Sequence, residues 1–175
     1  VLDRQGEAVL NHTARTYLLG AALVSDEIFR NIDHTVAVIA ALSHDDGLLH
    51  ATKRGECFTG DSAVEAEIML EQIGASRSSV NLVRAAVISH FQPNLPDCSG
   101  AEAQLVALGA SADVMGIGLK TIDPQILRTV WEEWPDLGFI PEIRALLKGE
   151  RTRAPRTRPG VLALSGMPYL LRPSK

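Results

Sequence analysis

The chain has 175 residues, enough for one domain with a full core and too few for two comfortable ones. Its 46% hydrophobic and 22% charged residues are ordinary for a globular domain, and a net charge of −4 argues against a surface built as a whole to hold nucleic acid or an anionic membrane. No run approaches the roughly 18 apolar residues of a membrane span. The two cysteines, Cys57 and Cys98, form neither a zinc-knuckle spacing nor a disulfide framework, which fits a reducing, cytoplasmic setting.

Taken in order, residues 1–23 read as a helix in which Ala8, Leu10, Tyr17, Leu18, Ala21 and Ala22 recur at helical spacing. His12, Arg15, Thr16 and Leu19 share another face of it. Asp33 is placed to N-cap a helix through the apolar stretch Val36 to Leu42, which ends in His44-Asp45-Asp46 and is stopped by Gly47. A polar loop over 48–60 carries His50, Lys53 and Arg54. The capping box Ser62-Ala63-Val64-Glu65 opens the next helix, which ends at Gly74. Ser76 caps a helix running to His90, followed by a Pro/Gly-containing loop over 91–100.

Residues 101–118 carry Leu105, Val106, Leu108, Ala112 and Met115 in helical rhythm, with Asp113 among them. Asp123 and Pro124 form an N-cap and a first helical residue, and Pro141 starts one more short helix to Leu147. No stretch alternates with period two for long enough to demand a sheet, so the fold class is all-α, a bundle of about six to seven helices. From residue 150 the chain turns basic and proline-rich, then apolar. It reads as an extended tail over 150–175, separate from a helical domain over 1–149, which Leu162, Leu164, Tyr169, Leu170 and Leu171 could dock on the domain or on a partner; a homo-oligomer is compatible with this.

Ionisable residues belong mostly on the outside of such a domain. His12, His44, Asp45, Asp113 and His90 instead sit among apolar neighbours. Two imidazoles and two carboxylates would supply four ligands to a metal that keeps room for water, and a metal would explain how buried carboxylates avoid a prohibitive desolvation cost.

The order of these residues, a His, then His-Asp, then a distant Asp, resembles the HD-domain superfamily of metal-dependent hydrolases. NHTARTYLLGAAL (11–23), AALSHDDGL (40–48), AAVISHFQP (85–93), LGASADVMGIGL (108–119) and PQILRTVWEEWPDLGF (124–139) are together similar to its cyanamide hydratase-like branch, over about residues 8–147. The resemblance implies a compact HD-type helical bundle with His12, His44, Asp45 and Asp113 as ligands of one divalent ion, zinc favoured over iron, manganese or nickel. It also implies His90 as a pocket histidine. Two features depart from the branch: Asp46 stands where an apolar residue is usual, and CFTGDSA (57–63) lacks the Glu of the corresponding turn.

A metal-dependent hydratase or hydrolase follows as the expectation, with water activated against a small polar substrate and hydration of a nitrile-type group, cyanamide to urea, favoured. His90, Asp45 and Asp46 are the candidates for proton transfer, and Arg15, Lys53 and Thr59 for holding substrate. Arg15 could equally pair with Asp113 or Asp46. A phosphohydrolase acting on a nucleotide or phosphoester is the alternative, and a non-catalytic scaffold that binds a small ligand or partner is a third. A small molecule is the expected partner, with neither nucleic acid nor membrane.

Overall fold

The helix α1, Glu7–Leu23, is the element against which the site is built. In the computed structural model, which describes residues 6–50, 56–92, 100–166 and 171, its His12, Arg15, Thr16 and Leu19 face is fully buried. The apolar stripe that suggests the helix, Ala8, Leu10, Tyr17 and Leu18, lies only half-buried. The expected helices follow as α3 (His34–Ser43), α5 (Phe58–Gln72), α6 (Arg77–Ser89), α7 (Ala101–Met115), α8 (Pro124–Glu133) and α9 (Phe139–Arg153). Three short ones, α2 (Asp26–Asn31), α4 (Asp46–Leu49) and α10 (Arg158–Leu164), raise the number to ten among the described residues. At six, four and seven residues they are too brief to display a helical period. All regular structure among the described residues is helical, and no helix there is long and apolar enough to cross a membrane.

The local signals behave as the chemistry of caps requires. Asp33 accepts the Val36 N–H at 3.1 Å, Ser76 that of Ser79 at 3.1 Å, and Asp123 that of Gln125 at 2.7 Å. Two signals are overridden. Helix α5 begins four residues before the capping box, and Ser62 lies inside it, where its Oγ accepts the Gly47 N–H at 2.8 Å. Gly47 does not end α3; it sits in α4, pressed so closely on α5 that a Cβ would meet the Phe58 carbonyl and the Ser62 nitrogen.

The expected extended tail is corrected as well. Residues 150–153 complete α9, and Thr157 caps α10 by accepting the Gly160 N–H, with Pro159 in the first turn where its missing donor costs nothing. Helix α10 packs on α9, and Gly160 abuts the Ala154 carbonyl. Leu171 is buried and its carbonyl accepts from Arg144 at 2.8 Å; Tyr169 and Leu170 lie outside the described residues.

Helices α1 and α7 run antiparallel in backbone contact. Gly20 lies on the Leu105 carbonyl and Gly109 on the Thr16 carbonyl, with no room for a Cβ at either glycine. One further turn along each helix, that register brings His12 opposite Asp113. A core cluster of α3, α5, α6 and α7 side chains lies to one side, including Val36, Ala40, Ala66, Val83 and Leu105. A second cluster, with Leu48, Phe58, Ile143, Leu147 and Leu171, joins α4, α5 and α9 to the C-terminal segment.

Candidate metal centre

His44 and His90 arrive at the site by the same device. Each is the C-cap residue of its helix, α3 and α6, in right-handed helical geometry. The last carbonyls of a helix have no intrahelical donor, and here each imidazole supplies one: His44 Nδ1 donates to the Ala41 carbonyl and His90 Nδ1 to the Val87 carbonyl, both at 2.6 Å. His12 is held from another helix, its Nδ1 lying 2.6 Å from Asp113 Oδ2. All three rings therefore carry their proton on Nδ1 and turn Nε2 inward.

These nitrogens converge on Asp45. His12 Nε2 is 3.1 Å from His44 Nε2 and 3.5 Å from Asp45 Oδ2, and His44 Nε2 is 3.4 Å from the same oxygen. His90 Nε2 lies 3.7 Å from Asp45 Oδ1. All four residues are buried. With each Nδ1 committed as a donor, neutral imidazoles present three lone pairs to one another and to a carboxylate. Such an arrangement repels itself unless a proton or a cation lies among them.

The donor set fits a divalent metal. Nitrogen and oxygen ligands at about 2.0–2.2 Å from an ion stand roughly 3–3.5 Å apart in tetrahedral or octahedral geometry, the spacing of the His12, His44 and Asp45 atoms. Three protein ligands leave coordination positions open, as catalytic rather than structural sites do. Each imidazole also has the hydrogen-bonded Nδ1 that orients metal-binding histidines.

Asp113, expected as a fourth ligand, stands behind His12 instead. Its carboxylate accepts a hydrogen bond from His12 Nδ1 and a bidentate pair from Arg15, with Arg15 Nε at 2.7 Å and Nη2 at 2.9 Å. Arg15 Nη1 donates to the Trp134 and Pro135 carbonyls at 2.9 and 3.0 Å, and its guanidinium lies over the Trp131 ring. Of the roles expected for Arg15, pairing with Asp113 is the one seen, and no part of the side chain reaches solvent to meet a substrate. Phe139 stacks on His12 with ring centroids 4.0 Å apart and closes the other face of the imidazole.

The charge states follow from this packing. Burial opposes charging His12, but Asp113 and then Asp45 outweigh it, so its pKa is raised. Burial lowers that of His44, and Asp45 only partly offsets it. His90 is pushed down to about 4 by burial and then by His44. Burial would raise both carboxyls; the imidazoles around Asp45 outweigh it there, as His12 and Arg15 do at Asp113, so both are lowered and stay ionised.

A cavity of about 260 Å³ opens on the cluster, lined by His12, His44, Asp45 and His90 and otherwise mostly by apolar side chains. Asp46 does not line it. The residue is buried at the start of α4, where its charge still acts on His44. Thr59 does not line it either; its hydroxyl turns back to Cys57 Sγ at 3.1 Å, and the preceding Phe58 faces the cavity. His50 is absent from the lining, and Lys53 and Arg54 lie outside the described residues. The apolar walls, among them Phe58, Phe91, Val114 and Ile143, were missed as site residues. They come from α5, the turn after α6, α7 and α9, so no spacing within a single stretch joins them.

In comparisons with known proteins, no family model matches this chain and no curated protein sequence does.

Proposed function

We propose that the protein is a metal-dependent hydratase or hydrolase of small molecules, built on an HD-type helical bundle. The observation that carries this is the inward convergence of three Nε2 lone pairs and one carboxylate beside an open cavity, each Nδ1 being tied to its own acceptor. The order His12, His44-Asp45, Asp113 and its resemblance to the HD-domain superfamily, nearest the cyanamide hydratase-like branch, support the same reading.

His12, His44 and Asp45 would hold the ion, zinc being the favoured one. Once bound, it supplies the Lewis acidity that brings the pKa of water toward neutrality. Asp113 and Arg15 fix the plane and tautomer of His12. His90 is uncharged at neutral pH, lines the cavity and presents Nε2, so it can take a proton from attacking water and return it to the product. In hydration of a nitrile-type group, water adds across the carbon–nitrogen triple bond. One water O–H bond and one C–N π bond break as the C–O bond forms and a proton goes to nitrogen, giving the imidic acid. Its remaining O–H proton then moves to nitrogen as the C=O forms and the second C–N π bond is lost, giving the amide.

A phosphoester reading would need a cation at the cavity, and no lysine or arginine is among its described lining residues. Arg15 is spent on Asp113 and two carbonyls, and Arg84 pairs with Glu67 on the surface. The test is metal analysis together with a substrate panel. Purified protein should carry or take up about one divalent ion per chain, and Asp45→Ala should lose both the ion and any activity on nitriles. A folded chain that takes up no zinc, manganese, iron or nickel would remove the reading, as would an Asp45→Ala protein that keeps its metal.

A further inference from the structure

The walls of the cavity say more than its metal-binding end. Leu48 from α4, Phe58 from α5, Val114 from α7 and Ile143 from α9 line the same space as the histidine–aspartate cluster. The C-terminal segment completes it. Leu162 of α10 lines the cavity half-buried, and Leu171 lines it pinned by the Arg144 bond to its carbonyl. Apart from the histidine–aspartate cluster, the polar residues among the described lining are Gln92 and Ser111, and no lysine or arginine is among them. A phosphate or a second charge on the substrate would lose its hydration in this space and meet no lysine or arginine among the described lining residues.

Size narrows the class. An apolar cavity of about 150 Å³ takes up benzene; at about 260 Å³ this one has room for a ring of that size together with a short polar head. A cyanamide-sized molecule would leave most of the apolar wall uncovered.

We infer that the substrate is a neutral molecule with one small reacting group of nitrile type on an apolar body of about one aromatic ring or a short alkyl chain, and that Leu162 and Leu171 set the length of that body. The position of the reacting group rests on the metal-site reading above; the apolar body does not. Leu162 and Leu171 are specificity residues: they lie outside the buried histidine–aspartate cluster, touch the apolar body and leave the chemistry to that cluster.

The test is the binding of propionitrile, butyronitrile, pentanenitrile and hexanenitrile to the full chain by protein-observed NMR, with and without zinc. Affinity should climb about fourfold per added methylene, roughly 60-fold across the series, whether or not zinc is present. Leu162→Trp should abolish most of that climb and leave propionitrile binding unchanged. Leu171→Ala should carry the climb on to heptanenitrile and octanenitrile, at which the parent's affinity levels off, so that the wall is still tested if the tryptophan variant does not fold. A flat series, or a climb that neither folded variant alters, would overturn the inference. A climb in a protein that takes up no zinc would uphold it and remove the metal reading alone; zinc uptake with a flat series would do the reverse.

Discussion

Replacing Gly109 by alanine tests the geometry on which the whole site depends. On an exposed helical position this change is favourable, because alanine is the better helix former by about 1 kcal/mol. At Gly109 the added Cβ would collide with the Thr16 carbonyl and crowd the Gly20 nitrogen. Both obstacles are backbone, so no side chain can swing aside and the helices must part. Overpacking of a tight contact costs about 1–3 kcal/mol and sometimes more. Taking the upper end and subtracting the gain in propensity leaves a net loss of about 2 kcal/mol. Parting α1 from α7 also draws Asp113 away from His12, so zinc affinity should fall with stability. Gly149→Ala is the control, since Gly149 lies exposed on α9 with nothing near its missing Cβ; it should gain up to about 1 kcal/mol and bind zinc normally. The assay is urea unfolding followed by circular dichroism, paired with zinc titration. A Gly109→Ala protein as stable as the parent, with unchanged zinc affinity, would refute the claimed backbone contact and the register drawn from it.

Three further outcomes follow from the same site. Asp113→Asn should lower zinc affinity about 10–100-fold, as loss of a group that orients a metal-binding histidine does; an unchanged affinity by competition with a chelator would show that Asp113 does not act through His12. Because the pKa of His12 is raised in the metal-free fold, zinc binding near neutrality should displace a proton from it and tighten as pH rises through that raised value. Calorimetric heats that are identical in buffers of different ionisation enthalpy would count against this. In the metal-free protein, His90 is held at about 4 against an ordinary 6.5, so the neutral ring stabilises the fold fully above pH 6.5, and about 3 kcal/mol is lost as pH falls from there toward 4. His12 contributes in the opposite sense, fully below 6.5 and less as pH rises through its own raised value. His90→Gln should flatten the acid limb of urea midpoint against pH, and an acid limb of unchanged slope would exclude His90 as its cause.

What was legible in the sequence was local. The caps at Asp33, Ser76 and Asp123 need only a side-chain oxygen and an N–H two or three residues away, so the stretch itself carries the information. The placement of His44 at the end of a buried apolar helix was legible for the same reason, and with it the presence of a buried His-Asp pair. Where a local signal competed with packing, packing won. Ser62 gives up its capping box to bond Gly47 from within α5, and α1 buries its charged face rather than its apolar stripe because that face meets α7 through the Gly20 and Gly109 contacts.

The division of labour inside the site was decided by tertiary structure alone. Asp113 and Asp45 are both carboxylates near His12, and the sequence does not distinguish the one behind Nδ1 from the one facing Nε2. That depends on the register of two antiparallel helices about a hundred residues apart, set by backbone contact. The same contact commits Arg15 to Asp113 and so withdraws it from any substrate. The apolar cavity is likewise assembled from α4, α5, α7, α9, α10 and Leu171, none of which carries more than part of a wall. By itself the sequence determined which residues carry metal-binding groups among apolar neighbours; the packing of distant helices decided which of their atoms face one another, because hydrogen-bond direction and burial are properties of contacts and not of spacing.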